Sequence, residues 1–416
     1  MKKFLALLCG FAILTAVFSG CSSESKPETE TTEAKTIKKT VLENNFVLSR
    51  DSFYYIGDDY MCSSLLFAGD RYVYSNKKGI YVKKDLKNGG RKISKNSPKT
   101  EWSNGAVLSD GKIVYYVIVK DGADSVYEYE IYSVGIDGKN EKKVLSGVGP
   151  ASLITVYDGN LYFKNGPDTE ADEDTMIMRY KLGSEKDPEL VSQDYEVHYN
   201  TYYNGKIYFS SDLFYSMEIL SGKSLEYPVY ALDLESKRID RVVDYSYGES
   251  IASVDSDKIA FYSRKMVGSS TEKYVYTVDK NGEAVKSKKL PTNADALYVD
   301  KDASYALMCD YFDDDFETFL KFDLKSGKQQ ELSKAAKGYQ CEICTSGLKP
   351  GSTEYFVTTA EGKKYTSKVA VQKVKGDKAG YCKLGKKKSV EADSYWITDD
   401  KLVIEYNNKM KVYDLK

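Results

Sequence analysis

Two short acidic stretches are the first places in this 416-residue sequence where side chains could do chemistry. They supply six candidate ligand carboxylates: Asp168, Asp172, Asp174, Asp310, Asp313 and Asp315. Clustered carboxylates could bind calcium, a hard cation that takes about six to eight oxygen ligands, or could face a cationic peptide. Neither stretch has the spacing of a calcium loop or a glycine at the required sharp turn. Solvated loop tips are therefore the favoured interpretation, no cofactor is predicted, and calcium stays as the alternative.

The same carboxylates define an enzymatic alternative. Glycoside hydrolysis needs two acids about 5 to 9.5 Å apart, a separation that a sequence does not measure. A glycan hydrolase or lyase that uses these loop carboxylates therefore stays open. A serine hydrolase is disfavoured, because its base would have to be His198, the one histidine of the chain. That residue lies in a strand-like segment, and no Gly-x-Ser-x-Gly nucleophile motif occurs. We predict no catalytic residue and favour a non-enzymatic function.

Tyrosine is unusually abundant, with 37 residues in the chain. We expect several to lie near the candidate binding loops: Tyr202, Tyr203, Tyr215, Tyr227 and Tyr311. Flat rings there could stack on sugars or line a peptide groove, and Tyr215 is the candidate ligand contact. Tyrosine is also a favoured strand residue, so packing between sheets is the preferred interpretation for most of them.

Five cysteines follow the first forty residues: Cys62, Cys309, Cys341, Cys344 and Cys382. An odd number cannot all pair within one chain, and the pairing stays open. Cys341 and Cys344 have the Cys-x-x-Cys spacing of redox motifs, but such motifs open a helix, whereas the alternation around Cys341 is typical of a strand. A buried cysteine or a structural disulfide is therefore favoured over an oxidoreductase. Two cysteines and one histidine do not complete a zinc site.

These residues are positioned by a repeat that runs through most of the chain. Asp110-Gly, Asp158-Gly and Asn204-Gly each precede a polar residue and then a β-branched or aromatic run. Looser copies extend the series to eight, with second turn residues at positions 70, 111, 159, 205, 257, 302, 352 and 400. The steps between them are 41 to 52 residues. Each period holds about four short strands in meander order.

Repeats of this kind indicate an all-β fold, a β-propeller of four-stranded antiparallel blades, with about eight blades favoured and seven as the alternative. Residues 41–416 resemble the propeller-type lipoproteins of low-GC Gram-positive bacteria, many of which have no known function. The resemblance implies the architecture and no particular ligand. The last period supplies only about three strands, and an open sheet edge invites aggregation. We therefore expect an N-terminal strand at residues 45–55 to complete the last blade and close the ring.

The strand order also predicts where a ligand would bind. The Asp-Gly turn joins the first two strands of a blade, so the loop between the second and third strands must leave from the opposite face. These second loops are long and variable, and loops of that kind on a rigid scaffold commonly carry function. We place them at residues 120–125, 164–175, 210–227, 264–273 and 310–317.

The N-terminus carries an export signal. Lys2 and Lys3 precede an apolar run over residues 4–17, which is the secretory pattern. This run is shorter than the about 20 apolar residues that span a bilayer. The sequence from Phe18 to Cys21, Phe-Ser-Gly-Cys, resembles the bacterial lipobox, whose cysteine is lipidated before cleavage. The resemblance implies two acyl chains on Cys21, which give stable anchoring where one chain gives marginal binding.

Three domains follow: a signal peptide at 1–20, a disordered tether at 21–40 and the propeller at 41–416. The tether is polar and has no large apolar residue before Ile37, so it cannot bury enough surface to fold. The membrane is the expected partner through lipid on Cys21, and the expected location is the extracytoplasmic face of the cell membrane. A formal net charge of −2 gives no basic field for nucleic acid, and we expect a monomer.

Together these features favour a lipid-anchored binding or scaffolding propeller that recognises a peptide, a glycan or an envelope protein. The glycan hydrolase or lyase is one alternative. An envelope-assembly scaffold is the other. It would resemble the eight-bladed lipoprotein of outer-membrane protein assembly, although the Trp-containing blade motif of that family is absent.

Overall fold

The computed structural model describes residues 47–48 and 65–415, except 86–89, 101–102, 105, 122–125, 167–174, 193–194, 198–199, 212–226, 247–250, 255–257, 268–269, 293, 301–302, 313–314, 337–338, 343–354, 362–365, 399–400 and 408. Every regular element in these residues is a β-strand. Within the same residues, no helix is long and apolar enough to cross a bilayer.

The strands are joined by turns that are rich in Gly, Asp and Asn at positive φ. In chain order they are β1 (Val47–Leu48), β2 (Leu65–Ala68), β3 (Arg71–Asn76), β4 (Gly79–Lys83), β5 (Arg91–Lys92), β6 (Lys99–Thr100), β7 (Ser103–Asn104), β8 (Val107–Ser109), β9 (Ile113–Asp121), β10 (Tyr127–Gly135), β11 (Lys142–Val148), β12 (Ala151–Tyr157), β13 (Asn160–Asn165), β14 (Met176–Lys181), β15 (Glu189–Leu190), β16 (Asn200–Tyr203), β17 (Lys206–Ser210), β18 (Tyr227–Asp233), β19 (Ile239–Ser246), β20 (Ile251–Val254), β21 (Lys258–Val267), β22 (Ser270–Asp279), β23 (Ala284–Lys286), β24 (Ala294–Val299), β25 (Tyr305–Phe312), β26 (Asp315–Asp323), β27 (Gln329–Lys334), β28 (Gln340–Glu342), β29 (Tyr355–Glu361), β30 (Ser367–Lys375), β31 (Lys378–Tyr381), β32 (Val390–Ala392), β33 (Ser394–Thr398), β34 (Lys401–Tyr406) and β35 (Lys409–Asp414).

Hydrogen bonding groups these strands into eight antiparallel blades, each a meander in chain order. In addition, β1 pairs with β8, β32 pairs with β30, and β6 and β7 form a separate two-stranded sheet. Blades 1 to 8 begin with β2, β8, β12, β16, β20, β24, β28 and β33. Each continues through the next three strands, except that the described part of blade 8 is β33 to β35. The eight turn positions of the sequence repeat all fall between the first and second strands of a blade. The chain is an eight-bladed β-propeller, and the favoured prediction of eight blades is confirmed.

Neighbouring blades are held together by hydrophobic cores, because both faces of the strands near the middle of each blade are apolar. Successive residues of a strand point to opposite faces. In β13, Leu161 and Phe163 therefore pack towards blade 2, and Tyr162 packs towards blade 4. Burying one large apolar side chain stabilises a fold by about 1.5–3 kcal/mol. The largest of these side chains are almost fully buried aromatics: Tyr116, Phe163, Tyr208, Phe209, Phe319, Phe356 and Tyr395.

The ring closes through side-chain packing between its last and first blades. One hydrophobic core combines Trp396 and Val403 of blade 8 with Leu65 and Val73 of blade 1, and it continues into blade 2. Trp396 is 5% exposed and is the largest side chain in this core. We call the contact between blades 8 and 1 the seam.

The predicted closing strand is not where we expected it. Of residues 45–55 the structure describes Val47 and Leu48, and these pair with Ser109 and Leu108 of β8 in blade 2. The expected pairing with blade 8 is therefore wrong for this part of the segment. The physical reason is that the seam already buries its apolar side chains without an added strand, whereas the edge of β8 away from β9 offers unpaired backbone groups.

The first turns of blades 1 and 2 touch each other at Gly69 and Gly111. Gly111 has φ +84°, a left-handed conformation that side chains other than glycine rarely adopt. A Cβ atom on Gly111 would also lie 2.9 Å from the Ala68 carbonyl oxygen and 2.9 Å from the Gly69 Cα. Glycine is required here for two independent reasons, the backbone angle and the close approach of blade 1.

Gly111→Ala is expected to lower the free energy of unfolding by about 3 kcal/mol. The left-handed backbone costs about 1–2 kcal/mol, and the added methyl group must also displace the backbone of blade 1. Gly159→Ala is the matched control, because Gly159 has φ +69° and a Cβ atom added there would have no neighbour within 4 Å. Urea denaturation of both variants measures the difference, and equal losses would show that the contact between the two turns contributes nothing.

Candidate functional site

The loops between second and third strands leave from one face of the ring, opposite the Asp-Gly turns. In blades 2 to 6 they follow Asp121, Asn165, Ser210, Val267 and Phe312. We call this face the loop rim and the opposite face the turn face. The antiparallel meander of each blade fixes this arrangement, as the sequence predicts.

Most of the predicted binding residues lie outside the described residues. These are Asp168, Asp172, Asp174, Tyr215 and Asp313, together with His198, Cys21, Cys62 and Cys344. Asp310 and Asp315 are described as strand residues, in β25 and β26, and both belong to the hairpin of blade 6 at the loop rim. They remain the described part of the predicted acidic site.

The hairpin of blade 6 has a shorter loop than predicted. Tyr311 pairs with Phe316, and Phe312 pairs with Asp315, so the strands continue to within two residues of each other. The prediction of a loop over residues 310–317 is wrong in its bounds, because aromatic residues favour strands in spite of the acids beside them. The same correction applies to the loop predicted at 264–273, where β21 continues to Val267 and β22 begins at Ser270.

A partly exposed ion-pair network lies near the loop rim in blade 2. Glu130 accepts hydrogen bonds from the Lys120 ammonium at 2.6 Å, from the Tyr132 hydroxyl at 3.0 Å and from the Lys143 ammonium at 3.2 Å. The hydrogen bond from Lys120 is the main cause that lowers the pKa of Glu130 to about 2. A carboxylate held this firmly in its charged form is suited to fixing strands and unsuited to donating protons.

Blade 5 repeats this arrangement. Glu272 lies two residues before Tyr274 on the third strand, as Glu130 lies two residues before Tyr132. Glu272 accepts hydrogen bonds from the Tyr274 hydroxyl at 3.0 Å and from the Lys289 ammonium at 3.1 Å, and the bond from Lys289 is the main cause that lowers its pKa. We interpret the Glu-x-Tyr pairs as a structural device of the third strand.

The network in blade 2 predicts a pH dependence of stability. Because the pKa of Glu130 is lowered in the folded state, its stabilising effect is present above pH 4.5, its ordinary pKa, and is lost as pH falls towards 2. Glu130→Gln is expected to remove about 1 kcal/mol at neutral pH, a value kept small because both lysines are about half exposed.

Denaturation of Glu130→Gln at several pH values measures this effect. Its loss relative to the parent should vanish between about pH 4.5 and about pH 2. Glu185→Gln removes an exposed carboxylate in a turn of blade 3 and serves as the control. A loss for Glu130→Gln that is the same at every pH would contradict the ion-pair interpretation.

Two of the tyrosines assigned to the binding loops lie elsewhere. Tyr202 and Tyr203 end β16 next to the Asn204-Gly205 turn, so they lie at the turn face and not at the loop rim. The ring of Tyr203 packs in the core between blades 4 and 5, and that of Tyr202 packs against the core between blades 3 and 4. Their expected place at the rim was wrong because they precede the Asn-Gly turn and do not follow the second strand.

Of the described cysteines, one lies in a strand of blade 7 and two are buried in cores between blades. Cys341 lies in β28, as the alternation around it predicts. Cys309 is buried in the core between blades 6 and 7, and Cys382 is buried in the core between blades 7 and 8. Among the residues that the structure describes, no three His, Cys, Asp or Glu side chains lie close enough to share a metal ion.

A cleft that the sequence did not reveal lies between blades 5 and 6, with a volume of about 320 Å³. Its lining includes the apolar residues Val275, Val285 and Leu324 and the lysines Lys288 and Lys325. The Lys288 amide donates to the Leu324 carbonyl at 3.0 Å, so the same residues join the two blades. Its lining comes from positions about fifty residues apart in sequence without a shared motif, which explains why no sequence signal identified it.

Comparison with known proteins supplies no family. No protein-family model matches the sequence, and no curated protein matches it. Similar solved structures include TolB from Acinetobacter baumannii, with 14% identity and a TM-score of 0.33 over 79% of this chain and 77% of that chain. An oligogalacturonate lyase in complex with manganese matches with 11% identity and a TM-score of 0.42 over 90% and 98%.

A prolyl endopeptidase matches with 13% identity and a TM-score of 0.47 over 81% of this chain, which spans 48% of the endopeptidase. The propeller architecture of this chain stands on its own strand order and interblade cores.

Proposed function

We propose that this protein is a binding or scaffolding propeller, anchored at the extracytoplasmic face of the cell membrane by lipid on Cys21. Its loop rim recognises a peptide, a glycan or an envelope protein. The lipobox-like sequence from Phe18 to Cys21 supports the anchor.

The observation that carries the recognition role is the common origin of the loops. The second-to-third-strand connections of consecutive blades leave from one face of a ring whose blades are joined by continuous hydrophobic cores. A rigid frame loses little conformational entropy on binding, so loops held by it can bind without first ordering the frame. Function in such proteins commonly lies in the loops that a rigid scaffold positions.

A binding role also agrees with the carboxylates near the loop rim. Glu130 and Glu272 are both ion-paired, and hydrogen bonds from lysines lower the pKa of each. A general acid needs a pKa near the working pH. Neither of these carboxylates has the environment of a general acid.

The experiment is crosslinking in the native host, with the partner identified by mass spectrometry. The triple variant Asp168→Asn, Asp172→Asn and Asp174→Asn should reduce the yield of the crosslinked partner about tenfold, because it removes charge from the loop rim. The control variant replaces three acids of the turn face by Asn: Asp137, Asp158 and Asp187. An equal reduction in the control would remove the loop rim as the recognition surface.

The enzymatic alternative is tested on the purified protein. We expect no release of reducing ends from cell-wall or plant polysaccharides. Reproducible release that is lost in Asp310→Asn or Asp315→Asn would replace the binding role by that of a glycan hydrolase or lyase.

A further inference from the structure

The outer edge of blade 7 concentrates positive charge. Residues 373–388 contain seven lysines and one acidic residue, Asp377, which gives this segment a net charge of +6 in a chain whose formal net charge is −2. Six of these lysines are exposed and form what we call the blade 7 lysine patch: Lys375, Lys378, Lys383, Lys386, Lys387 and Lys388. The excess is local and has no counterpart in the overall composition.

The backbone beneath the patch is fixed by hydrogen bonds. β31 is the outermost strand of blade 7 and pairs with β30. Beyond it, the Cys382 amide donates to the Val371 carbonyl at 2.7 Å. The Leu384 and Lys387 backbones then bond to each other in both directions, at 3.0 and 3.2 Å. Because Cys382 and Leu384 are buried in the core between blades 7 and 8, the turn that carries Lys383 to Lys388 is held in place at its base.

The charge of the patch is not neutralised by the described residues. None of the six exposed lysines forms an ion pair with a described carboxylate, whereas Lys120 and Lys289 elsewhere do. β27 of blade 6 lies beside β31, and Gln330 Nε2 donates to the Asp377 carbonyl at 3.1 Å. That neighbouring strand contributes Glu331 but ends in Lys334, so it leaves the positive excess in place.

An exposed aromatic ring lies within the patch. Tyr381 is 43% exposed, and its hydroxyl oxygen accepts a hydrogen bond from the Ala336 amide at 3.0 Å. Tyrosine is enriched in proteins at the interface between a membrane and water. An outermost strand with a protruding turn also presents a shape that suits a broad surface more than a small ligand.

We propose that the blade 7 lysine patch docks the propeller onto an anionic phospholipid surface, that of the membrane that holds the lipid on Cys21. This inference rests on the proposed lipid anchor. Its physical basis is electrostatic. Each lysine near an anionic leaflet is attracted to it, and clusters of four to eight lysines or arginines are typical of segments that bind such surfaces.

The number of residues between Cys21 and Val47 limits how far the ring can lie from the anchor. The two residues are 26 positions apart, so at full extension they are separated by at most about 90 Å. Val47 pairs with Ser109, which precedes the Asp110-Gly turn, so the chain meets the ring at its turn face. Lys375 and Lys378 flank a turn on this same face. Lys383 to Lys388 follow on the outer edge of the blade, between the hydrogen bond from Cys382 to Val371 and the pairing of Val390 with Val369.

The test uses the full chain with Cys21→Ala, sedimented with vesicles. Vesicles of phosphatidylglycerol and phosphatidylcholine in equal parts should bind it at low salt and release it at high salt. The variant Lys383→Gln, Lys386→Gln, Lys387→Gln and Lys388→Gln should lower the partition coefficient about 100-fold or more. Vesicles of phosphatidylcholine alone report any binding through the apolar residues 4–17.

The matched control carries Lys181→Gln, Lys186→Gln, Lys237→Gln and Lys280→Gln, exposed lysines of blades 3 to 5 with the same change in net charge. It should bind within about threefold of the parent, since its lysines lie away from the patch. Thermal unfolding verifies that both variants fold. An equal loss in both variants, or no binding by the parent, would overturn the proposal.

Binding of soluble polyphosphate without binding of vesicles would assign the patch to an anionic polymer and would equally overturn it. Every protein in this test lacks the lipidated cysteine, so its outcome does not depend on the anchor. Failure of the anchor is measured separately, by fractionating cells that carry Cys21 intact.

Discussion

Cys21→Ala is expected to move the protein out of the membrane fraction of its host, with a fall of about tenfold or more in the bound share after a high-salt wash. The reason is that two acyl chains on one cysteine anchor a protein stably, whereas a protein without them has only reversible contacts. The high-salt wash removes electrostatic contacts of the blade 7 lysine patch, because salt screens exposed charges. Immunoblots of the fractions measure the membrane-bound share, and metabolic labelling with palmitate measures lipid attachment.

Ser22→Ala is the matched control, because it changes the neighbouring residue and leaves the cysteine in place. It should remain labelled and membrane-bound. Firm attachment of Cys21→Ala in high salt would refute the lipid anchor, and with it the expected location.

Trp396→Ala is expected to lower the free energy of unfolding by about 3–5 kcal/mol. Trp396 is buried in the core that joins blade 8 to blade 1, and truncation would leave a cavity at the seam. The described part of blade 8 has three strands, so side-chain packing carries much of the closure. Urea denaturation followed by far-ultraviolet circular dichroism measures the loss.

Trp396→Phe separates packing from hydrogen bonding at the same position. The Trp396 Nε1 atom is buried and finds no hydrogen-bond partner among the described residues. Phenylalanine removes this unsatisfied donor and keeps an aromatic ring, so its loss should be about 1 kcal/mol. Equal losses for the two variants would mean that the indole makes a contact that phenylalanine cannot replace.

The fold could be predicted because one local signal is repeated. Asp-Gly or Asn-Gly turns precede three of the second strands and looser copies precede the other five, and eight turns at similar steps define eight blades before any contact is known. The structure places all eight positions between first and second strands. Errors of one strand or one residue in a single copy do not change such an inference.

The closing strand could not be predicted because its position depends on competition between two sheet edges. The apolar run around Val47 and Leu48 is compatible with any unpaired edge, and sequence does not rank the edge of β8 against that of β35. The bounds of the loop after Asp310 were too wide for a similar reason. Acidic residues indicated a loop, while pairing of Tyr311 with Phe316 across the hairpin extends the strands.

The lysine patch needed the structure for its interpretation. The run from Lys386 to Lys388 is visible in the sequence, but a lysine run is most often only a solvated turn. Burial of Cys382 and Leu384 shows that the turn is held at its base, and no described carboxylate forms an ion pair with its exposed lysines. Both observations depend on contacts in the folded chain, which no local pattern encodes.

The interblade cores have a consequence for how this protein could change over time. Their described members come from strands, from turns and from the connections between blades, and none comes from the second-to-third-strand loops of blades 2 to 6. Insertions or replacements in those loops would leave the apolar packing that holds the described ring together unaltered. A lineage could therefore change these five loops while inheriting the same frame.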